Sequence, residues 1–303
     1  MGKFFEQLAT KLADRWATLL LLPSALLAAA TAIGVQLGHR QALDPQALRR
    51  AVATIWGAVA VQPPATQAVL ALAFLLAAAG AGLAVQALAG VTRLVWLGRW
   101  PAPLRPVARW RAGRRRARWH RHVRQRREME RAHPREYRTA DEQLSVDRAA
   151  DRVNRLALAE PGRPTWMGDR MHALERVAQD RYGLDLAFAW PRLWLVLPDN
   201  TRAEIAAAHA AFAAAVATGT WAWPYLVLGA LWWPALLLAA GIGVTGWVQA
   251  RSATTDLTAL SEAALDLHGR TLAIELGAAG PDTSGPLTVD EGARITALVR
   301  KGR

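Results

Sequence analysis

The chain has 303 residues and carries 37 Lys and Arg against 24 Asp and Glu, a formal charge of +13, yet 52% of it is hydrophobic. It contains no Cys, which excludes disulfides, thiol nucleophiles and cysteine-ligated metals. Its apolar residues are clustered in a way that argues against an ordinary soluble protein. No Asp, Glu, Lys or Arg occurs from Trp16 to Gly38, from Ala51 to Thr92, or from Ile205 to Ala250. Each run reaches the roughly 20 residues that cross about 30 Å of hydrocarbon as helix. None has a polar face for water to wet, and several of the 14 Trp stand near the run ends, as at a headgroup interface.

The first predicted span is Trp16 to Leu37. It is longer than the apolar core of an ordinary signal peptide and is expected to be retained. A short helix over Ala51 to Val61 is expected at the outer surface, with Trp56 at the interface, ending at Pro63 and Pro64. The second span follows from about Thr66 to Ala89.

From Arg93 to Arg138, sixteen Arg face only Glu128, Glu130 and Glu136, a net +13 that equals the charge of the whole chain. Such a block beside a span belongs in the cytoplasm. Lys3, Lys11 and Arg15 put the N-terminus there, and Arg251 puts the tail there. Arg40, Arg49 and Arg50 against Asp44 make the outer loop an imperfect fit, outweighed by the inner block.

"RAGRRRARWHRHVRQRREMERAH" is low in β-branched residues and reads as helix. Polybasic segments next to a span meet anionic headgroups at about 1 kcal/mol per residue. The expected lipid contacts are Trp96, Arg99, Trp100, Arg105, Arg109, Trp110, Arg114, Arg115, Arg116, Arg118 and Trp119. No recognition fold accompanies the tract, so nucleic acid is not the expected partner.

Next comes a helix through "ADEQLSVDRAADRVNRLALAE", with Leu144, Ala149, Val153 and Leu156 near one side, stopped by Pro161 and Pro164. Thr165 caps a further helix in which Met167, Met171, Leu174 and Val177 recur at helical spacing, and Gly183 closes it. "LDLAFAWPRLWLVLP" is apolar, but Arg192 would sit near its centre and Pro191 would break the only hydrogen-bond pattern that lipid tolerates. This segment is expected to pack in the cytoplasmic part or lie on the inner leaflet, anchored by Trp190 and Trp194.

Ile205 to Ala250 as one helix would measure about 69 Å, more than twice a membrane thickness, so two crossings are expected. The first should end near Thr218 to Trp223. Pro224 then opens the second, and Pro234 kinks it. Beyond Arg251 the helix is expected to continue as an amphipathic tail with Leu257, Leu260, Ala264, Leu267 and Leu272 on one side. A linker spans Gly277 to Pro286. Thr288 with Glu291 forms a capping box for a terminal helix, Val289 to Val299.

The sequence therefore predicts an all-α membrane protein with four transmembrane helices in two hairpins, a helical basic cytoplasmic insertion and an amphipathic C-terminal helix. The divisions are a first transmembrane hairpin over 1–92, the insertion over 93–203, the second hairpin over 204–250 and cytoplasmic helices over 251–303. The expected location is the cell membrane, multi-pass, with both termini cytoplasmic. Ala78 with Gly82, Gly80 with Ala84, and Ala239 with Gly243 are small-residue pairs that let spans pack closely and leave homo-oligomers open.

Chemistry is sparse. No ionisable residue lies inside the spans, apart from His209 near the start of the third, and transporters place such groups there. GxSxG, HExxH, Walker A and GxGxxG are all missing, so neither enzyme activity nor a cofactor is expected. His172 and Glu175, three apart on one helix, lack a third ligand. His120, His122 and His133 lie among arginines that disfavour a bound cation, and His268 has Asp266 and Arg270 nearby. The expected function is a membrane-embedded assembly or scaffold protein meeting a protein partner at its cytoplasmic face, with a subunit of a membrane transporter or channel as the alternative. Glu175, Tyr182, Asp185, Trp190, Arg192 and Asp266 are the candidate interaction positions, since aromatic and Arg side chains favour interfaces.

"RPTWMGDRMHALERVAQDRYGLDLAFAWPRLWLVLPD" is similar to a stretch in a family of uncharacterised actinobacterial multi-pass membrane proteins. There a Thr-x-x-Gly helix, here Thr165 and Gly168, leads to Tyr-Gly-Leu-Asp, here Tyr182 to Asp185, and to Trp-Pro-Arg-Leu, here Trp190 to Leu193, before Leu197 and Pro198. "AALDLHG" at 263 to 269 resembles the tail helix of those proteins, which commonly have Asn near the position of Asp169. The resemblance runs from about Trp16 onward, most specifically over 164 to 198. It implies a multi-pass membrane fold and brings no catalytic residue or substrate.

Overall fold

A computed structural model describes residues 22–300, where the regular structure is entirely helical and contains no strand. In chain order the helices are α1 (Leu22–Leu37), α2 (Pro45–Ala60), α3 (Pro64–Trp96), α4 (Arg105–Ala132) and α5 (Ala140–Leu156). Then follow α6 (Trp166–Tyr182), α7 (Leu186–Val196), α8 (Asp199–Thr220), α9 (Ala222–Leu228), α10 (Pro234–Glu275) and α11 (Val289–Arg300). Two compact units result. Unit 1 takes the described part of Met1–Thr92 with Ala213–Gln249, and unit 2 takes Arg93–Phe212 with the described part of Ala250–Arg303. The start of the first expected span and the basic residues Lys3, Lys11 and Arg15 lie outside the described residues.

Among the described residues two helices are long and apolar enough to cross a membrane, Pro64–Trp96 and the nearly continuous Asp199–Leu228. The four expected spans are thus matched by two helices of full length and apolarity. Of the other two, α1 is described for only 16 residues, and α10 is apolar only over its first part, before Arg251.

Several boundaries move, each for a local reason. The Asp44 side chain accepts the Gln46 N–H at 2.8 Å, and Pro45 occupies the first helical position. This cap starts α2 at Pro45, ahead of the expected Ala51. Helix α3 continues past the expected Ala89 because nothing breaks it until Gly98, whose φ is +69°. There the Arg99 N–H donates to the Leu94 carbonyl and the Gly98 N–H to Val95, a Schellman end. Pro224 sits in the first turn of α9, a position that tolerates it. The chain reverses instead at 229–233, and Pro234 opens α10 with no kink.

Within unit 1 the helices meet through small and hydroxyl residues. The fully buried Thr92 hydroxyl lies 3.0 Å from the Thr220 hydroxyl and accepts the Trp223 indole N–H at 3.0 Å. A Cβ on Gly246 would lie 2.6 Å from the Gly219 Cα, so two backbones touch there. Of the expected small-residue pairs, Ala78 and Gly82 are on the buried stripe of α3, with Val85 and Thr92. Gly80 faces open space, and Gly243 makes only ordinary contact with Ala222. The two loops at 38–44 and 229–233 are tied together. The His39 Nε2 lies 2.8 Å from the Ala230 carbonyl, and the Trp232 indole donates to the Ala42 carbonyl at 3.3 Å. Much of the remaining surface of unit 1 is apolar: only 17% of the most apolar window of α3 is buried.

Unit 2 has a closed core. Leu184, Leu193, Leu265, Leu272 and Ile295 are almost completely covered, and Met171, Leu174, Trp190 and Trp194 pack around them. Thr165 caps α6 by accepting the Gly168 N–H at 3.2 Å, and Gly183, at φ +63°, ends it. Asp185 caps α7, whose Leu186, Ala189 and Leu193 are buried in this core. Eleven residues span about 16 Å, too short to cross hydrocarbon. The Arg192 guanidinium donates to the Phe188 carbonyl at 2.7 Å, and the helix runs on through Pro191.

Two expected faces rotate. On α5 the buried residues are Val146, Ala149 and Val153, while Leu144 is exposed. On the tail of α10, Leu265 is buried and Leu267 is 74% exposed. The terminal capping box forms as the sequence predicts, with the Thr288 N–H donating to Glu291 at 2.9 Å. Gly246→Ala should force α8 and α10 apart at Gly219 and lower the melting temperature of the detergent-purified chain by several degrees. Gly80→Ala, which meets nothing within 4 Å, should leave the melt unchanged or raise it slightly.

Candidate functional site

The most constrained polar group in unit 2 is Asp169, in the first turn of α6. Its Oδ1 accepts the backbone N–H groups of Gly162 and Arg163 at 2.8 and 2.6 Å, and its Oδ2 accepts the Arg115 Nε–H at 2.8 Å. The Asp169 side chain is 3% exposed. Arg115 also donates to the Leu156 carbonyl at 3.1 Å. This side chain, one of the expected lipid contacts, is 19% exposed, and its guanidinium bonds within the fold. Neighbours on the same face of α4 act alike. Arg116 pairs with Glu160 at 3.0 Å, and the Trp119 indole donates to the Ala157 carbonyl at 3.3 Å. A stretch of little more than one turn of this solvated-looking basic helix thus clamps the linker between α5 and α6.

The other expected lipid-contact positions are more open. Arg99, Arg105, Arg109, Trp110, Arg114 and Arg118 are exposed. Arg114 stacks over Trp110 at 4.9 Å and Arg111 over Trp100 at 5.8 Å, as cation–π pairs. Trp96 and Trp100 are half-buried, and the Trp100 indole donates to the Val95 carbonyl at 3.0 Å.

The six candidate interaction residues divide into two groups. Tyr182, Asp185 and Asp266 hold unit 2 together: the Tyr182 hydroxyl donates to Asp266, and Arg300 donates to Asp185. Burial, and then the hydrogen bond to Asp266, push the Tyr182 hydroxyl up to about 12. Glu175, paired with His172 at 3.0 Å, together with Trp190 and Arg192, stands beside a cavity or at the surface of α7.

That cavity, of about 370 Å³, has a split character. Its lining combines Arg93, Arg99 and Arg163 with Met171, Leu174, Leu186 and Trp190, and includes His172 and Glu175. A second, apolar cavity of about 540 Å³ shares Met171, Leu174, Trp190 and Ser261 with the first and extends along Trp194, Ile205 and Leu257. Sequence reasoning singled out Trp190 and Glu175 but missed Arg93 and Arg163, which are distant in the chain from each other. It also missed the clamp at Asp169, for which the only signal was an acidic residue following a Thr cap. Among the described residues no group of three or more His, Asp or Glu is placed to hold a metal ion. No protein-family model, curated protein or solved structure matches the chain.

Asp169→Ala should cost about 3–5 kcal/mol, because it strands Arg115 and two backbone donors in a covered site. Chemical unfolding of the purified chain checks this; Arg116→Ala, on an exposed pair, should cost under about 1 kcal/mol. A second outcome concerns acid. Hydrogen bonds from Arg270, and then from Thr288, hold the Glu291 carboxyl down to about 2. A depressed pKa stabilises the fold above the ordinary value of 4.5. That contribution is lost as pH falls through the window from there to about 2. Glu291→Gln should flatten the acid limb of the stability curve in that window.

Proposed function

We propose that the chain is a four-span integral membrane protein with both termini in the cytoplasm, and that unit 2 is a cytoplasmic platform on which a protein partner assembles. The observation that carries the membrane reading is the apolar exterior of unit 1. Leu72, Leu76, Leu83, Val227, Leu237, Val244 and Val248 are all half or more exposed. Water would penalise such a continuous apolar surface, whereas hydrocarbon is its natural solvent. The core helix of a soluble protein would be mostly covered, and α3 is not.

The spans in this reading are α1, α3, the α8–α9 run and the apolar first part of α10. The hydrogen bonds joining loop 38–44 to loop 229–233 support it, because both loops would then lie on the outer side. The +13 of the Arg93 to Arg138 block supports the opposite side for unit 2. The platform role rests on what unit 2 offers: a closed helical core, a long basic helix, and Glu175, Trp190 and Arg192 outside the polar network that holds the fold.

Single cysteines in this Cys-free chain test the topology in intact cells. A membrane-impermeant thiol reagent should label Gln41→Cys and Ala230→Cys, and should reach Arg121→Cys and Asp290→Cys only after lysis. Labelling of Arg121→Cys in intact cells would invert the orientation. For the platform role, mass spectrometry of the gently extracted complex should show a second protein in fixed stoichiometry, reduced by Arg192→Ala at an unchanged melting temperature.

A further inference from the structure

We propose that unit 2 contains a discrete site for one anionic phospholipid, its phosphate held by Arg93, Arg99 and Arg163 and its acyl chain laid along Trp190 and Leu174. This deepens the membrane reading and rests on it. The two adjoining cavities match an amphiphile in order and in chemistry. The first has three arginines in its lining, and none of them has an ion-pair or side-chain hydrogen-bond partner among the described residues. Its one carboxylate, on Glu175, is already engaged by His172. The lining therefore carries an excess of positive charge that no group among the described residues meets, and guanidinium forks are suited to phosphate oxygens.

The apolar cavity opens from the same residues, Met171, Leu174 and Trp190, and has almost no charge on its lining. A free phosphate would leave it empty, and a neutral hydrocarbon would leave the arginines unmatched. Only a ligand with an anionic head and an apolar tail uses both. The location is consistent: Arg93 is the first charged residue after Arg50, at the end of the long apolar helix α3. A residue there stands at headgroup depth when the helix crosses. The backbone that carries two of these arginines is held in place. Arg163 donates its backbone N–H to Asp169, and Arg99 follows the Schellman end at Gly98, where a Cβ would strike Pro164 at 2.9 Å.

The full chain, purified in a mild nonionic detergent, would be titrated with dioctanoyl phosphatidylglycerol and followed by native mass spectrometry and thermal shift. One lipid per chain should bind saturably. The double variant Arg99→Gln/Arg163→Gln should weaken it by roughly tenfold or more, and Ala206→Trp, which fills the apolar cavity, should weaken it as well. Arg105→Gln/Arg109→Gln, outside the cavity, should leave this stoichiometric binding unchanged. Dioctanoyl phosphatidylcholine and inorganic phosphate should bind at least about tenfold more weakly. Phosphate binding as tight as the lipid would replace the proposal with a simple anion site. Tight phosphatidylcholine binding, or lipid binding that survives both cavity variants, would overturn it. A chain that stays soluble without detergent yet binds the short-chain lipid would sink the membrane reading alone. A chain that inserts in membranes but shows no saturable lipid would sink the site alone.

Discussion

The buried carboxylate of Asp169 organises unit 2. A carboxylate that is 3% exposed is tolerated only when its lone pairs are used, and here two consecutive backbone N–H groups and a guanidinium use them. Three parts of the chain are fixed by this one group: α4 through Arg115, the linker through Gly162 and Arg163, and α6 on which Asp169 stands. Gly168, the residue before it, admits the end of α3, since a Cβ there would lie 2.3 Å from the Leu97 carbonyl. The convergence of Arg93, Arg99 and Arg163 on one cavity follows from these contacts. Local capping chemistry and one buried ion pair thereby bring together charges that the sequence scatters.

The legible parts of the fold were those governed by short-range rules. Thr165, Gly183 and the Thr288–Glu291 box ended or began helices where their chemistry requires, and the amphipathic tail continued α10 without a break. Positions decided by tertiary packing were not legible. Leu144 and Leu267 belong to the apolar sets that periodicity selects, but helix rotation left both exposed. The turn at 229–233 was missed because Pro224 and Pro234 are equally able to open a helix, and only packing chose the second. Of the candidate site, Trp190 and Glu175 were visible as an aromatic and a charge in an apolar setting. Arg93 and Arg163 were hidden among thirty-odd cations, since charge density in sequence says nothing about which arginines will line one cavity.

The basic helix α4 illustrates that limit. Its arginines look interchangeable, yet they do different work. Arg115 satisfies a buried acid and a carbonyl, Arg116 pairs at the surface, and Arg114 lies over an indole. Removing Arg115 uncovers a buried charge, whereas removing an exposed neighbour costs little stability and changes only the field around the unit. A surface role for the tract and a structural role for one of its faces are therefore compatible, and the two are separable by residue.

Helix α10 carries the strongest argument about solvent. Before Gln249 it exposes Leu236, Leu237, Leu238, Val244 and Val248, which point in several directions around the helix. After Ala250 the pattern changes: Leu257, Leu265 and Leu272 are buried and the exposed positions become mostly polar. Arg251, at the change, lies over the Trp166 ring at 4.4 Å. One unbroken helix thus reads as apolar all round in its first part and one-sided in its second. A helix wholly in water has no reason to switch, because its exposed face should stay polar throughout. In the proposed membrane reading such a switch is expected, because α10 would leave hydrocarbon near residue 250, and Arg251 over Trp166 would stand at that crossing.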